Sequence, residues 1–307
     1  MMRCVVLGAG GFIGINLCRT LMAQGYAVRA FGRHKSCPEE LFGCDWLSGD
    51  FTDPTCIAAA IAGCDVVFHL VNATTPASAN ANKVADLNTN VTGTLHLLDA
   101  CRESGVQRVV FVSSGGTIYG IPDLVPTPET AATNPISAYG ISKLAIEKYL
   151  GLYEYLYGLQ YRVLRVANPF GPYQTALKGQ GVIAAFLHRA LAGKAIEIWG
   201  DGSAIRDYIF VDDVVEALIL AATHDGPGRV FNIGSGKGYS LIDILAAINR
   251  LLAVDIQVDY YSGRPVDVPV SILETTFAAT ELGWRSRTPF EKGLQSTIAW
   301  VDSVRRR

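Results

Sequence analysis

Charge is scarce in this chain: only 18% of its 307 residues are charged and the formal net charge is −2, so no overall positive field exists to gather nucleic acid. No apolar run approaches the roughly 20 residues that a bilayer-spanning helix needs, and no membrane role is expected. Glycines break the apolar stretch behind Arg3 too early for a secretory leader. The seven cysteines, Cys4, Cys18, Cys37, Cys44, Cys56, Cys64 and Cys101, are odd in number, crowd into the first third and never fall in Cys-x-x-Cys spacing. That argues against a disulfide framework or a zinc site, so no metal is expected and a reducing cytoplasm is the expected setting. Internal repeats, low-complexity tracts and long linkers are absent as well.

Half of the residues are hydrophobic, enough for a sizeable core in one large α/β domain or a large and a small lobe. The chain opens on Arg3-Cys4-Val5-Val6-Leu7, an apolar β-branched run that breaks into Gly8-Ala9-Gly10-Gly11, after which Ile13, Leu17 and Leu21 repeat with helical period. Strand, tight turn and helix follow from that order. Gly8 suits the turn, Gly11 lets backbone N–H groups approach a pyrophosphate, and Gly14 lets the helix lie close to the strand. The anion would rest on the positive end of the helix, beside Phe12 and Ile13.

The pattern then alternates. Strands are expected over 26–31, 44–47, 66–71 and 108–112, and helices from Asp53-Pro54, over about 82–103 with Gly105 as stop, and from Ser137. His69, inside a buried run, reads as a satisfied interior residue. Such alternation specifies an α/β fold, a doubly wound parallel (Rossmann) sheet covered on both faces. Residues 1–170 form its dinucleotide-binding domain, part of 205–235 returns to it, and 171–307 make mainly a smaller C-terminal α/β substrate lobe. Asp212 and the Ser240/Asp243 pair read as helix caps.

Two signals concern cofactor choice. The second strand ends in Phe31-Gly32-Arg33-His34-Lys35, without the carboxylate that usually holds the ribose of NAD. Arg33 either favours a 2′-phosphate, so that NADP is not excluded, or stacks on adenine in a solvated loop. Asp50 stands at the carboxyl edge of the next strand, where a ligand would lie.

Strand five runs into Ser113-Ser114-Gly115-Gly116-Thr117-Ile118-Tyr119, and Tyr139 and Lys143 follow four residues apart on one helix face. An ammonium beside the phenol, with an oxidised nicotinamide, would lower the tyrosine pKa from about 10 and make a general base.

With these residues in view, the chain resembles the extended short-chain dehydrogenase/reductase family, in its nucleotide-sugar epimerase, dehydratase and reductase branch. The resemblance runs from Gly8, Gly11 and Gly14 through Asn90-Val91-Thr92-Gly93-Thr94 and Tyr139/Lys143 into the last hundred residues. It implies bound NAD, contacted also by Asp50, Phe51, Leu70, Val71 and Asn90, with Tyr139 taking the sugar hydroxyl proton and Lys143 holding the cofactor ribose. Asn168, Arg206 and Arg264 resemble the family's sugar-nucleotide contacts, two guanidiniums matching diphosphate oxygens bidentately. Val182 and Trp199 fall where the family lines its base pocket.

The chain departs from the family where a catalytic Ser or Thr is placed, because Gly115 stands there. Thr117 is favoured slightly over Ser114 as the hydroxyl assisting Tyr139. The Asp-Glu pair of the 4,6-dehydratases is missing, so dehydration is not expected. The resemblance thus implies a nucleotide-sugar 4-epimerase, UDP-sugars favoured, with a homodimer formed through helices 82–103 and 137–157. The alternatives are a 4-ketoreductase using NAD(P)H and, further off, a non-enzymatic dinucleotide sensor.

Overall fold

The structure, a computed structural model, describes residues 2–175, 181–262 and 268–306. The chain begins as its periodicity dictates, with β1 (Arg3–Leu7), α1 (Phe12–Ala23) and β2 (Ala27–Gly32). Next come β3 (Asp45–Ser48), α2 (Pro54–Ile61) and β4 (Val66–His69). Asp53 caps α2, its side chain accepting the Thr55 N–H. The long helix expected over 82–103 is interrupted. Short α3 (Pro76–Ala81) and α4 (Lys83–Asp86) lead into one π-helical stretch, Leu87–Thr92, before α5 (Gly93–Ser104), which stops at Gly105 with φ 71°.

After β5 (Arg108–Ser114) a long loop leads to α6 (Ala138–Tyr157), capped by the Ser137 side chain on Gly140 N. The remaining elements are β6 (Gln160–Val166), β7 (Asn168–Phe170), α7 (Val182–Leu191), β8 (Ile196–Trp199), β9 (Ile205–Phe210), α8 (Val211–Thr223), β10 (Val230–Ile233) and β11 (Gly238–Tyr239). They are completed by α9 (Leu241–Leu252), β12 (Val258–Tyr261), β13 (Val270–Ser271), α10 (Thr276–Glu281) and α11 (Phe290–Arg305). Ser240 and Asp243 form the expected capping box on α9. Asp212 does not cap α8: Phe210 is the N-cap and Asp212 sits in the first turn, where its charge still favours the positive helix end.

Seven parallel strands make one sheet in the order β10-β6-β5-β4-β1-β2-β3. Its strands read as near-continuous apolar runs because both faces are covered. On one face α1 and α8 bury Leu17, Leu21, Val214 and Leu218 against Val6, Phe68 and Val110. On the other, α2, α5 and α6 bury Ile57, Leu97, Leu98 and Ile146 against Val5, Val67 and Phe111. Strand order reverses between β1 and β4, and in open parallel sheets ligands bind in the crevice opened at such a reversal, beyond the carboxyl ends. The smaller sheets, β11-β9-β13 with β7 on β9, and β8 with β12, surround a separate core of Phe170, Phe186, Ile198, Phe210, Ile244 and Phe290.

Candidate active site

The turn after β1 is shaped by glycines that have no alternative. Gly8 adopts φ 87° and lies so near the following strand's exit that a Cβ there would meet Leu70 C and Val71 N at 3.2 Å. Leu70 and Val71 therefore form the wall opposite the turn. A Cβ on Gly14 would come within 2.8 Å of Ala9 Cα and O, so only glycine lets α1 start this close to the turn. Gly11 is the N-cap of α1 and no side chain caps that end, leaving first-turn N–H groups, among them those of Phe12 and Ile13, available to an anion. This cradle, which any Cβ would fill, fits the pyrophosphate of a dinucleotide.

At the next strand ends, Arg33 is exposed, and its charge together with the Thr52 N–H and hydroxyl holds the Asp50 carboxyl below its ordinary range, the hydrogen bonds acting most strongly. Asp50 Oδ1 accepts both Thr52 groups at 2.8 Å. A carboxylate thus does stand beside the basic end of β2, supplied by the neighbouring strand. Phe51 is buried and stacks on His69, ring centroids 5.1 Å apart, with Phe111 on the other side at the same distance. His69 Nε2 pairs with Thr94 Oγ1 at 2.8 Å. Burial and the Lys143 charge push the His69 pKa down to about 3, so the ring is neutral near pH 7.

The α6 face carries the acid–base groups. Lys143 is buried, its Nζ donating to Val112 O at 2.9 Å and lying 4.6 Å above the Phe111 ring. Burial lowers its pKa to about 8, opposed by the carboxylates of Asp86 and Glu147. Burial raises the Tyr139 pKa to about 12, the Asp86 charge adds to that, and only a hydrogen bond with Ser114 opposes. The ammonium stands 5.8 Å from the ring centroid and is committed to a carbonyl, so the protein's own groups keep Tyr139 a phenol.

Of the two candidate hydroxyls, Ser114 is the one whose side chain favours the ionised form of Tyr139. Thr117 Oγ1 is buried without a hydrogen-bond partner among the described residues. A Cβ on Gly115 would meet Arg165 O and Leu273 Cδ2 at 3.0 Å, so a side chain there would need Leu273 to shift.

Two further carboxylates were not legible as site residues. Glu147, one turn beyond Lys143, forms a buried pair with Arg165 of β6 (Nη2 to Oε2, 2.7 Å) and accepts from Ser113 Oγ at 2.6 Å. Its signal was the i, i+4, i+8 spacing of Tyr139, Lys143 and Glu147. Asp86 is fully buried and lies i−4 to Asn90, whose Nδ2 donates to it at 2.9 Å while Asn90 Oδ1 accepts Ala73 N at 3.1 Å.

On the smaller lobe, Asn168 Nδ2 donates to Asp207 O at 3.0 Å, Arg206 extends from β9, Val182 opens α7, and Trp199 ends β8 stacked on Tyr261 at 5.1 Å. Arg264 lies outside the described residues. Asn16 of α1 bridges the two halves, its Nδ2 donating to Phe12 O at 2.9 Å and to Pro172 O at 3.0 Å.

The sequence profile of the NAD dependent epimerase/dehydratase family matches residues 4–234. The chain belongs to that family. A UDP-glucose 4-epimerase of Mycolicibacterium smegmatis is 35% identical over 308 residues, 97% of each chain. Among solved structures, the Thermotoga maritima UDP-glucose 4-epimerase with UDP-glucose superimposes with a TM-score of 0.94 at 35% identity, covering 99% of both chains. The Thermus thermophilus UDP-glucose 4-epimerase complex with NAD gives 0.91 at 31% identity over 98% of this chain and 99% of that one. The two solved structures share this fold over nearly the whole chain.

Proposed function

We propose that the protein is an NAD-dependent nucleotide-sugar 4-epimerase acting on a UDP-hexose. The observation that carries this is the Tyr139 phenol, one helical turn from the buried Lys143 ammonium on the helix that follows β5. Gly8, Gly11 and Gly14 with the open end of α1 would hold the cofactor pyrophosphate, Asp50, Phe51 and Arg33 its adenosine half, and Lys143 its second ribose. When bound, NAD supplies a reversible hydride acceptor.

The chain's residues do the rest. As the phenolate that the positive charge of an oxidised nicotinamide would favour, Tyr139 takes the C4 hydroxyl proton and later returns it, while Ser114 assists and Thr117 offers a second hydroxyl. The family carries its diphosphate on arginines matching Arg206 and Arg264, leaving the sugar ring free to present either face as a 4-keto sugar. Lacking an acid and base to expel water, the 115–117 turn supports epimerisation rather than dehydration.

Purified protein should release stoichiometric NAD on denaturation and interconvert UDP-glucose and UDP-galactose, followed by NMR, with no added cofactor. Tyr139→Phe should lower kcat by about 10²–10⁴-fold while leaving the fold intact. The exposed Arg33 favours a second reading, an NADPH-dependent 4-ketoreductase; protein that carries no NAD and turns over only with NADPH would establish it instead.

The same reading includes a homodimer and a cytoplasmic setting. Val84 (70% exposed), Leu87, Ile141, Leu152 and Tyr155 (86% exposed) leave an apolar face on the helices 83–104 and 138–157, the kind of surface that a second copy covers. All seven cysteines are free thiols, as a reducing compartment keeps them. No described helix is long and apolar enough to cross a membrane.

A further inference from the structure

Asp86 is fully buried on the rim of the acid–base cluster. Its Oδ2 accepts from Ser142 Oγ at 2.5 Å, and its Oδ1 accepts from Asn90 Nδ2 at 2.9 Å and from the Thr74 hydroxyl. Each donor comes from a different part of the site. Thr74 belongs to the loop after β4, where Ala73 N is held by Asn90 Oδ1 at 3.1 Å. Asn90 stands in the π-helical stretch, and Ser142 is the residue before Lys143 on α6. Burying a carboxylate costs far more than these elements need for cohesion alone, since uncharged apolar packing would join them more cheaply. A role of the charge in the site would account for that cost.

We propose that Asp86 is a positioning residue of this site: its carboxylate clamps the loop after β4 and Asn90 to the Ser142–Lys143 turn, and its charge bears on the Tyr139–Lys143 pair. The inference rests on the epimerase reading of Tyr139. The charged and titratable groups facing the pair are few. Asp86 faces it from α4, Glu147 from the next turn of α6 with its charge shared by Arg165 of β6, and neutral His69 from β4. Of the carboxylates, Asp86 is the one that raises the pKa of both Tyr139 and Lys143.

Asp86→Asn removes the charge and keeps the shape. Both pKa values then fall, so the ascending and descending limbs of the kcat–pH profile should both move to lower pH by about one unit, and Asp86→Glu should restore their positions. Ser142→Ala removes one arm of the clamp with the charge in place: kcat should fall at least about fivefold with both limbs unmoved. Limbs that stay in place in folded Asp86→Asn overturn the electrostatic half, and unchanged kcat and KM in Ser142→Ala overturn the clamp. Should Asp86→Asn fail to fold, Ser142→Ala and Thr74→Val decide the proposal through the same kcat comparison. If wild-type protein turns over no UDP-sugar at all, the epimerase reading fails rather than this one.

Discussion

Substituting Gly14 by alanine tests whether the opening turn is a binding cradle or a mere chain reversal. The new Cβ would stand 2.8 Å from both Ala9 Cα and Ala9 O, and against the Gly8 carbonyl oxygen as well. Ordinary contact begins at 3.4 Å, so α1 must retreat by at least 0.6 Å, 3.4 less 2.8 Å. Every obstructing atom is backbone, so no rotamer change relieves the clash. Gaps of that size forfeit about a quarter of each dispersion contact, and α1 buries Leu17, Cys18 and Leu21 completely. The cost should reach the upper part of the ~1–3 kcal/mol range for overpacking, a Tm loss of roughly 3–5 °C for a chain of 307 residues. Displacing the first-turn N–H groups should also lose about two charge-assisted hydrogen bonds to the pyrophosphate, or roughly 100-fold in NAD affinity. Gly25→Ala is the control: it has φ 81° but open space around it, so about 1–2 kcal/mol of backbone strain should leave NAD affinity alone. Calorimetric titration of NAD into both folded variants gives the answer. Wild-type affinity in Gly14→Ala would refute the assignment of the cradle.

Other outcomes follow from the buried groups. Glu147→Gln strands the Arg165 guanidinium, both side chains being only 5–6% exposed, so thermal denaturation should show a loss of about 3–5 kcal/mol, partly recovered in the double variant with Arg165→Met. His69 has its pKa held near 3 against an ordinary 6.5, so as pH falls the unfolded chain takes up its proton first. Its contribution to stability is full above about pH 6.5 and declines toward pH 3; His69→Phe should show a shallower fall of Tm between pH 6.5 and 4. Ser240→Ala removes the capping box of α9 and should lower stability by about 1 kcal/mol with no change in NAD affinity.

Periodicity and turn chemistry announced the sheet, because each strand had to be apolar on both faces and each helix on one. The cradle was equally plain, since its function rests on missing side chains. What stayed hidden depends on distance. No pattern says that Asp86 comes to rest against Ser142, 56 residues away, or that Arg165 O and Leu273 crowd Gly115. The acidity of Tyr139 depends on distance in the same way. Spacing placed Lys143 on the same helix face, but only the tertiary surroundings reveal that burial and the Asp86 charge raise the phenol's pKa. Asp212 misled because a carboxylate near a helix start reads alike whether it sits at the cap or in the first turn.

The π-helical turn of Leu87–Thr92 carries one residue more than an α-helix needs to cover the same rise. That surplus residue turns the upstream part by about 100°, which is why Asp86 and Asn90 look toward the crevice while Leu97, Leu98 and Cys101 downstream still meet the hydrophobic interior. Trimming a single amino acid from this segment would straighten the spiral and swing one set or the other out of place. Natural variation in length should therefore be strongly resisted between Asp86 and Gly93.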